Sequence, residues 1–464
     1  MHEHTDVVIA GSRCAGTAAA IALARRGRNV IALDSASFPS DTLSTHLFFP
    51  HHWAELELLG AHDRVLELGA PLHTRAGLAG PGVEVVGEFG PADGFTAGAC
   101  VRRPGLDLAL VQTARANGAE IRERTRVTDL LRGDDGRVNG VHYRGRDGAE
   151  GTISAKLVVG ADGRRSTIAR LVGANEHHHW DNQRLMAFAY YEDAHESARH
   201  VAMQWRYGSD LVTVFPCDGG QLVALLMPPV IRSDEFRADS EQAFSDTISR
   251  VPPFAERLRD CTRVSGIRVS YRHPSYFRHS QGPGWALAGD AGHFKDPVTA
   301  QGIRDALRFG RLLGEQTAAH LDEPQRLAAA LVAWELDRDE QCLPMYQWAN
   351  LLGRDDAVSP IEDAAYRWFA RQPDGAMQLL DVFSRNRLPS DVFTPGRLVR
   401  WIAAAARNPE ADRRLLWRTV RRDVRREVER MIEQRMFDRR RAASAATTAA
   451  PKHPTPAAQP LPAR

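Results

Sequence analysis

The chain is poor in lysine. Of its 60 basic side chains only Lys156, Lys295 and Lys452 are lysines, a bias toward arginine that carries little function by itself. Cysteine is scarce too. The five, at 14, 100, 217, 261 and 342, show no close pair of the kind that zinc or a dithiol redox motif requires, and they exclude a disulfide framework. No excess charge of one sign exists, because 58 acids offset the bases to leave +2. Global basicity is thereby removed as a reason to bind nucleic acid, and no nucleic-acid partner is expected. No apolar run approaches the roughly 20 residues of a membrane helix; the longest early one, Ala15 to Ala24, stops at Arg25 and Arg26. A first strand that begins by Asp6 leaves no room for a signal peptide, so the sequence reads as cytoplasmic. What is present is 464 residues with 43% hydrophobic and 25% charged side chains, enough for a large core in two or three lobes.

Val7 to Ala10 reads as a strand, Gly11 to Gly16 as a turn, the alanine-rich stretch to Arg26 as a helix stopped by Gly27, and Asn29 to Asp34 as a second strand. This βαβ opening founds a parallel sheet with a right-handed crossover. Arg102 to Asn117 has the apolar spacing of a helix and feeds a strand at Ala119 to Glu123. Arg126 to Arg144 reads as two strands around a glycine turn, and Lys156 to Val159 as another short strand. From Arg184 to Pro228 four strand-like runs follow, the last two joined by Cys217 to Gly220, which predicts a separate antiparallel domain.

Residues 285 to 310 return to the strand, turn and helix pattern of the N-terminus. The expected fold is therefore α/β: a discontinuous Rossmann-like domain over 1–175 and 271–330, an antiparallel β-sheet substrate domain over 176–270, and a helical C-terminal region over 331–441. Within that region Arg413 to Arg441 holds 12 arginines against five acids, read chiefly as a solvated face with intrahelical ion pairs, with an acidic partner or a membrane surface as the alternative. Ala442 to Arg464, rich in Ala, Pro and Thr, reads as a disordered tail.

A dinucleotide pyrophosphate needs a turn that exposes backbone amides, a helix N-terminus aimed at the anion, and an acid further on for the ribose. Gly11, Ser12, Arg13, Cys14, Ala15 and Gly16 supply the turn, and Asp34 at the end of the second strand supplies the acid. Arg13 departs from the fingerprint, standing where a second glycine normally lets the phosphates approach. Either the cofactor path shifts or the arginine side chain turns outward and adds charge.

Two more strand-and-turn motifs follow: Val158 to Arg170, containing Asp162 and Gly163, and Gly284 to His293, containing Asp290 and continuing through Asp296 and Pro297 to Gly302. In this order the three closely resemble the flavin signatures of the single-component FAD monooxygenases typified by para-hydroxybenzoate hydroxylase, a group that also includes flavin halogenases and geranylgeranyl reductases. The resemblance spans about residues 5 to 310. It implies FAD as cofactor and NADH or NADPH as a transient reductant, in agreement with the lack of a second glycine fingerprint. By position it implies that Asp290 holds the ribityl chain and that Asp162 serves both the FAD pyrophosphate and the nicotinamide cofactor. Pro297 lies in the same motif. Gly302 with Ile303 would turn helix amides toward the flavin pyrimidine, and Arg103, rather than its neighbour Arg102, would reach the phosphates.

The activity so implied is hydroxylation of an aromatic or polyketide-like small molecule with O2, through a flavin C4a-hydroperoxide; reduction of isoprenoid double bonds is the alternative. Halogenation ranks lower because Trp205, Arg206 and Tyr207 do not supply the Trp-x-Trp-x-Ile-Pro element of that group. A non-catalytic flavoprotein that docks a partner through its basic helix is a further reading. Flavin carries the hard step, so few obligatory catalytic side chains are expected. Two are candidates: His46, for proton exchange beside the ring, and Lys295, to steady an anion or to form a surface ion pair with Asp296. His177, His178 and His179 cannot all face one ion and read as loop polarity, so no metal site is expected. Met186, Phe188, Tyr190, Met203, Trp205 and Phe215 alternate on strands and are expected in part to roof an apolar pocket and in part to form sheet core. The oligomeric state is left open.

Overall fold

The computed structural model describes residues 2–449, in which the residues up to Arg422 form one compact unit and Asp423 opens a second. The first unit is organised by two sheets. In the N-terminal one, strand His2–Ala10 pairs in parallel with Val30–Leu33 on one side and with Glu150–Gly160 on the other. Glu120–Arg122 and Trp285–Leu287 extend it outward, also in parallel. The last four residues of the first strand are buried on both faces, as a central parallel strand must be. The antiparallel strands Arg126–Arg132 and Val138–Arg144 cover one face, where Val127 and Val141 pack with Val8, Ile31 and Val158.

The other face carries helix Cys14–Ala24, whose alanines favour helix and present a low surface. Helix Gly302–Thr317 crosses it closely: a Cβ on Gly310 would stand 2.4 Å from the Ala15 carbonyl, and one on Gly314 would stand 2.7 Å from the Ala22 Cβ. Segments far apart in the chain are thus brought together through small residues, in an α/β fold.

The second sheet runs in the order Thr262–Arg263, Met186–Glu192, Gln221–Met227, Asp210–Cys217, Val201–Tyr207, Arg75–Gly80, Val83–Glu88. Four of these strands match the runs read from sequence. The sheet also takes strands from residues 47–100, which the sequence division left in the nucleotide-binding part, and Arg75–Gly80 joins Val201–Tyr207 in parallel. Non-local pairing of this kind leaves no periodicity for a sequence to show. One face packs against helices between 233 and 257, where Phe236, Phe244 and Phe254 meet Met203 and Trp205. The opposite face packs against helices between 360 and 407. Pro360, Pro389 and Pro395 stand at the first positions of helices, where the missing N–H costs nothing.

Two expectations are corrected here. His177, His178 and His179 lie on strand Glu176–Trp180, paired with Ser275–Arg278, and not in a loop. Helix Arg413–Ala449 continues through residues 442–449, the start of the stretch read as a disordered tail; residues 450–464 lie outside the described residues. No helix among the described residues is long and apolar enough to cross a membrane.

Candidate active site

The three sequence motifs end on adjacent parallel strands, so their turns open at the same edge of the sheet, where α/β folds bind ligands. Glycine makes the convergence possible. Gly11 has φ +97°, and a Cβ there would stand 2.3 Å from the carbonyl of Ala161 in the second motif. Gly289, at φ +59°, would place a Cβ 2.7 Å from that of Ala15. The first turn therefore touches the second motif through Gly11 and the third through Ala15.

The polar atoms at this edge are those an anionic dinucleotide requires. Helix Cys14–Ala24 has no side-chain cap and no acid in its first turn, which leaves its first amides and its positive end available to a phosphate. Asp34 is buried and accepts from the amides of Ser12 at 2.7 Å and Ala36 at 2.8 Å. The Ser12 hydroxyl and the Asp162 Oδ1 are buried without a protein partner, while Asp162 Oδ2 accepts from the Thr167 amide at 2.7 Å. Burial raises the Asp162 carboxyl above its ordinary range. Gly163, at φ +78°, turns the chain beside it. Asp290 is half-buried, and no protein donor among the described residues binds its carboxylate; burial raises it, against the pull of Arg164, Arg103 and Lys295. The unpartnered Ser12 hydroxyl, Asp162 Oδ1 and Asp290 carboxylate fit FAD: the turn Gly11–Gly16 and Arg103 would hold the pyrophosphate, Asp34 the ribose, and Asp290 the ribityl hydroxyls.

Arg13 neither blocks the turn nor points freely outward. Its guanidinium bonds to Asp107 and to the Ser40 hydroxyl at 3.0 Å. Asp107 is fully buried and also accepts from Arg103 at 2.8 Å and 3.1 Å. Two guanidiniums against one carboxylate leave net positive charge beside the helix N-terminus, a complement to pyrophosphate. In the sequence Asp107, with Leu106, serves only to align Arg103 and carries no role of its own; its position four residues after Arg103 on a helix is the available signal. Arg102 turns the other way, to Asp218 and Gln221 of the second sheet.

Helix Gly302–Thr317 also begins without a side-chain cap, so the amides of Gly302 and Ile303 have no acceptor within the helix. Beneath this N-terminus sits a buried charge cluster. Lys295 bonds to Asp305 and to His293 Nε2 at 3.1 Å, and Asp305 also receives Arg304 at 3.0 Å and Arg385 at 3.2 Å. The expected pairing of Lys295 with Asp296 at the surface is therefore corrected: both are buried, and Asp296 instead caps the Val298 amide. Burial alone would raise the Asp305 carboxyl; the Lys295, Arg385 and Arg304 cations outweigh it and hold it well below the usual range. Asp305, His293 and Cys342 come together as metal-ligand types, yet Asp305 already meets three cations, and burial keeps the Cys342 thiol protonated by raising it to about 11.

His46 is fully buried at φ +60°, with Nε2 2.7 Å from the Tyr190 hydroxyl. Burial, then the nearby Arg103 and Arg102, lowers it to about 3, so the ring is neutral at physiological pH. Its neighbours Thr45 and Leu47 line a small, partly open apolar cavity between the second sheet, loop Pro297–Ala300 and helix Gly375–Phe383. Neither His46 nor Lys295 lines it. Its floor is a cross-strand row, Leu78–Gln204–Thr213–Leu225, each residue directly opposite the next. Thr213 is 2% exposed, and its hydroxyl has no protein partner. Phe215 also lines the cavity; Met203 borders it but packs with Trp205 on the far side of the sheet, where the Trp205 ring lies 5.8 Å from that of Phe254.

A dinucleotide cleft at the ends of parallel strands, with an apolar cavity at the mouth of its last turn, defines a flavin-dependent oxidoreductase. Residues 4–330 match the FAD binding domain family, and the chain belongs to it as a FAD-dependent enzyme. It is similar to the menaquinone reductase of Mycolicibacterium smegmatis, 28% identical over 68% of this chain and 76% of that protein. It is also similar to digeranylgeranylglycerophospholipid reductase 2 of Methanopyrus kandleri, 25% identical over 72% and 82%. Among solved structures the flavin-dependent brominase Bmp2 shares the fold, with a TM-score of 0.71 at 19% identity over 87% of this chain and 99% of that one.

Proposed function

We propose that this enzyme saturates a carbon–carbon double bond in a neutral, largely apolar substrate of isoprenoid character, with NADH or NADPH as reductant. The observation that carries the reading is the cavity: its lining is apolar with three polar side chains, Thr45, Gln204 and Thr213, and no ionisable one. A charged substrate would be left there without a counter-ion. Two similar proteins are named as reductases, one of a quinone and one of an isoprenoid lipid, which supports this reading over hydroxylation.

FAD, when bound, would supply the hydride, and the proton that completes the saturation would come from solvent. The chain's own part is to hold and to exclude. The turn Gly11–Gly16, Arg103, Asp162 and Asp290 bind the cofactor, and the amides of Gly302 and Ile303 favour negative charge near them without a proton. Leu47, Leu78, Leu225 and Met227 keep water from the cavity. Thr213 and Gln204 fix a single carbonyl or hydroxyl of the substrate on an otherwise apolar floor.

Hydroxylation, the activity the motif order led with, is the second reading. Phe49, Phe215 and Phe383 in the cavity wall favour it, since three rings suit an aromatic substrate. Anaerobic incubation of the FAD-loaded enzyme with NADPH or NADH and a menaquinone or geranylgeranylated lipid separates the two. A product that, after re-oxidation in air, remains heavier by two hydrogens in its isoprenoid chain supports double-bond reduction. Turnover that requires oxygen and yields a product with one added oxygen overturns it.

A further inference from the structure

The helix that enters the second unit presents its apolar side chains to solvent. Val424 is 60% exposed, Val428 47%, Met431 41%, Ile432 49% and Met436 61%. Their spacing, i, i+4, i+7, i+8 and i+12, sets all five on one stripe of an α-helix. Soluble helices hide such a stripe, and an exposed one marks an interaction surface. The arginine-dense segment therefore does more than solvate a face. Intrahelical pairs do form, Arg425 with Glu429 at 3.1 Å and Arg430 with Glu427, but they leave the stripe bare.

Arginine lies along this stripe. At helical spacing Arg421, Arg425, Arg435 and Arg439 stand beside it, all exposed, and Arg435 and Arg439 meet no carboxylate among the described residues. Over residues 424–439 five arginines stand against four acids, so it is not the whole segment but the stripe's own side that is basic, where Arg421, Arg425, Arg435 and Arg439 gather while Glu427 and Glu433 lie round the helix from it. Charge decides between occupants. Two copies of this helix laid face to face would oppose like charge along the contact, whereas a surface bearing negative charge beside apolar depth satisfies both features at once. We infer that the exposed face of residues 424–439 docks on an anionic lipid surface, its apolar stripe entering the headgroup boundary and its flanking arginines meeting lipid phosphates.

The test uses the full chain loaded with FAD and vesicles of phosphatidylcholine, with or without phosphatidylglycerol. Co-sedimentation with the phosphatidylglycerol vesicles, weakened by added salt and absent with pure phosphatidylcholine, is the expected result. V428D/I432D should lower the bound fraction at least tenfold, and R435E/R439E should lower it at low salt. Both variants should keep flavin content and thermal midpoint, because the altered side chains are exposed. Equal binding of the variants and the parent chain overturns the inference, as does equal binding to neutral vesicles. A helix-dependent dimer in sedimentation equilibrium with no vesicle binding also overturns it, and assigns the face to a second copy.

Discussion

The nucleotide-binding edge and the apolar cavity are built by opposite means. At the edge, backbone would do the recognising: uncapped helix amides, glycines at positive φ and a few fixed acids lie there, on the ends of neighbouring parallel strands. In the cavity, side chains from a cross-strand row and distant helices do it, and hardly a charge is present. A cofactor carrying phosphates and a fixed shape is met by geometry that tolerates no extra atom. A substrate that is apolar is met by volume, which tolerates exchange of one side chain for another.

That contrast breaks most sharply at Gly11. Gly11→Ala would put a Cβ 2.3 Å from the Ala161 carbonyl at φ +97°, strain of about 1–3 kcal/mol for the backbone before the clash is added. Purified variant should carry no bound flavin by absorbance, and full flavin content would show that the turn is not the cofactor's. Asp290→Ala removes one charge-assisted bond, worth about 1.5–3 kcal/mol, so FAD dissociation should weaken roughly 10- to 100-fold in a fluorescence titration. Retention of flavin on dilution would place the third motif elsewhere.

The cavity should respond in the reverse manner. Leu225→Trp fills its floor; turnover should fall by about tenfold or more while FAD affinity stays unchanged, and an equal loss of both would join the two sites into one. Thr213→Val is the finest probe. Because the hydroxyl has no protein partner, its removal should leave stability equal or higher, yet raise KM for a carbonyl-bearing substrate by the ~0.5–1.5 kcal/mol of one neutral hydrogen bond. Lower stability would mean that the hydroxyl has a structural partner.

Acid should weaken both regions together. Burial lowers His46, His52, His273 and His293 to about 3 and His73 to about 4. The unfolded chain takes up protons at these rings below about pH 6.5, while the folded chain does so only near 3 to 4. Their contribution is thus present in full above about pH 6.5 and is lost as pH falls toward 4. The thermal midpoint should drop steadily from pH 7 to pH 5; a flat profile would mean these rings are not buried neutral.

Much of the edge was legible in the chain because each part is local. A strand, a glycine turn and a helix start lie within a dozen residues, and Asp34, Asp162 and Asp290 sit at fixed offsets inside such units. The strands between 186 and 227 were legible for the same reason, through alternation and turn residues. Partners across the chain were not. Nothing near Lys295 named Asp305 over Asp296, nothing near Arg13 named Asp107, and nothing in residues 75–88 announced a parallel partner at 201–207.

What the sequence by itself determined is the class of cofactor and the kind of sheet that holds it, because the backbone conformations that meet a pyrophosphate are written in glycine and acid at short range. Tertiary structure alone decided the cavity, the buried cation cluster around Asp305 and the exposure of the apolar stripe within residues 424–439. Those depend on which distant side chains share a space, and packing of that order arises only when strands far apart in the chain come into register.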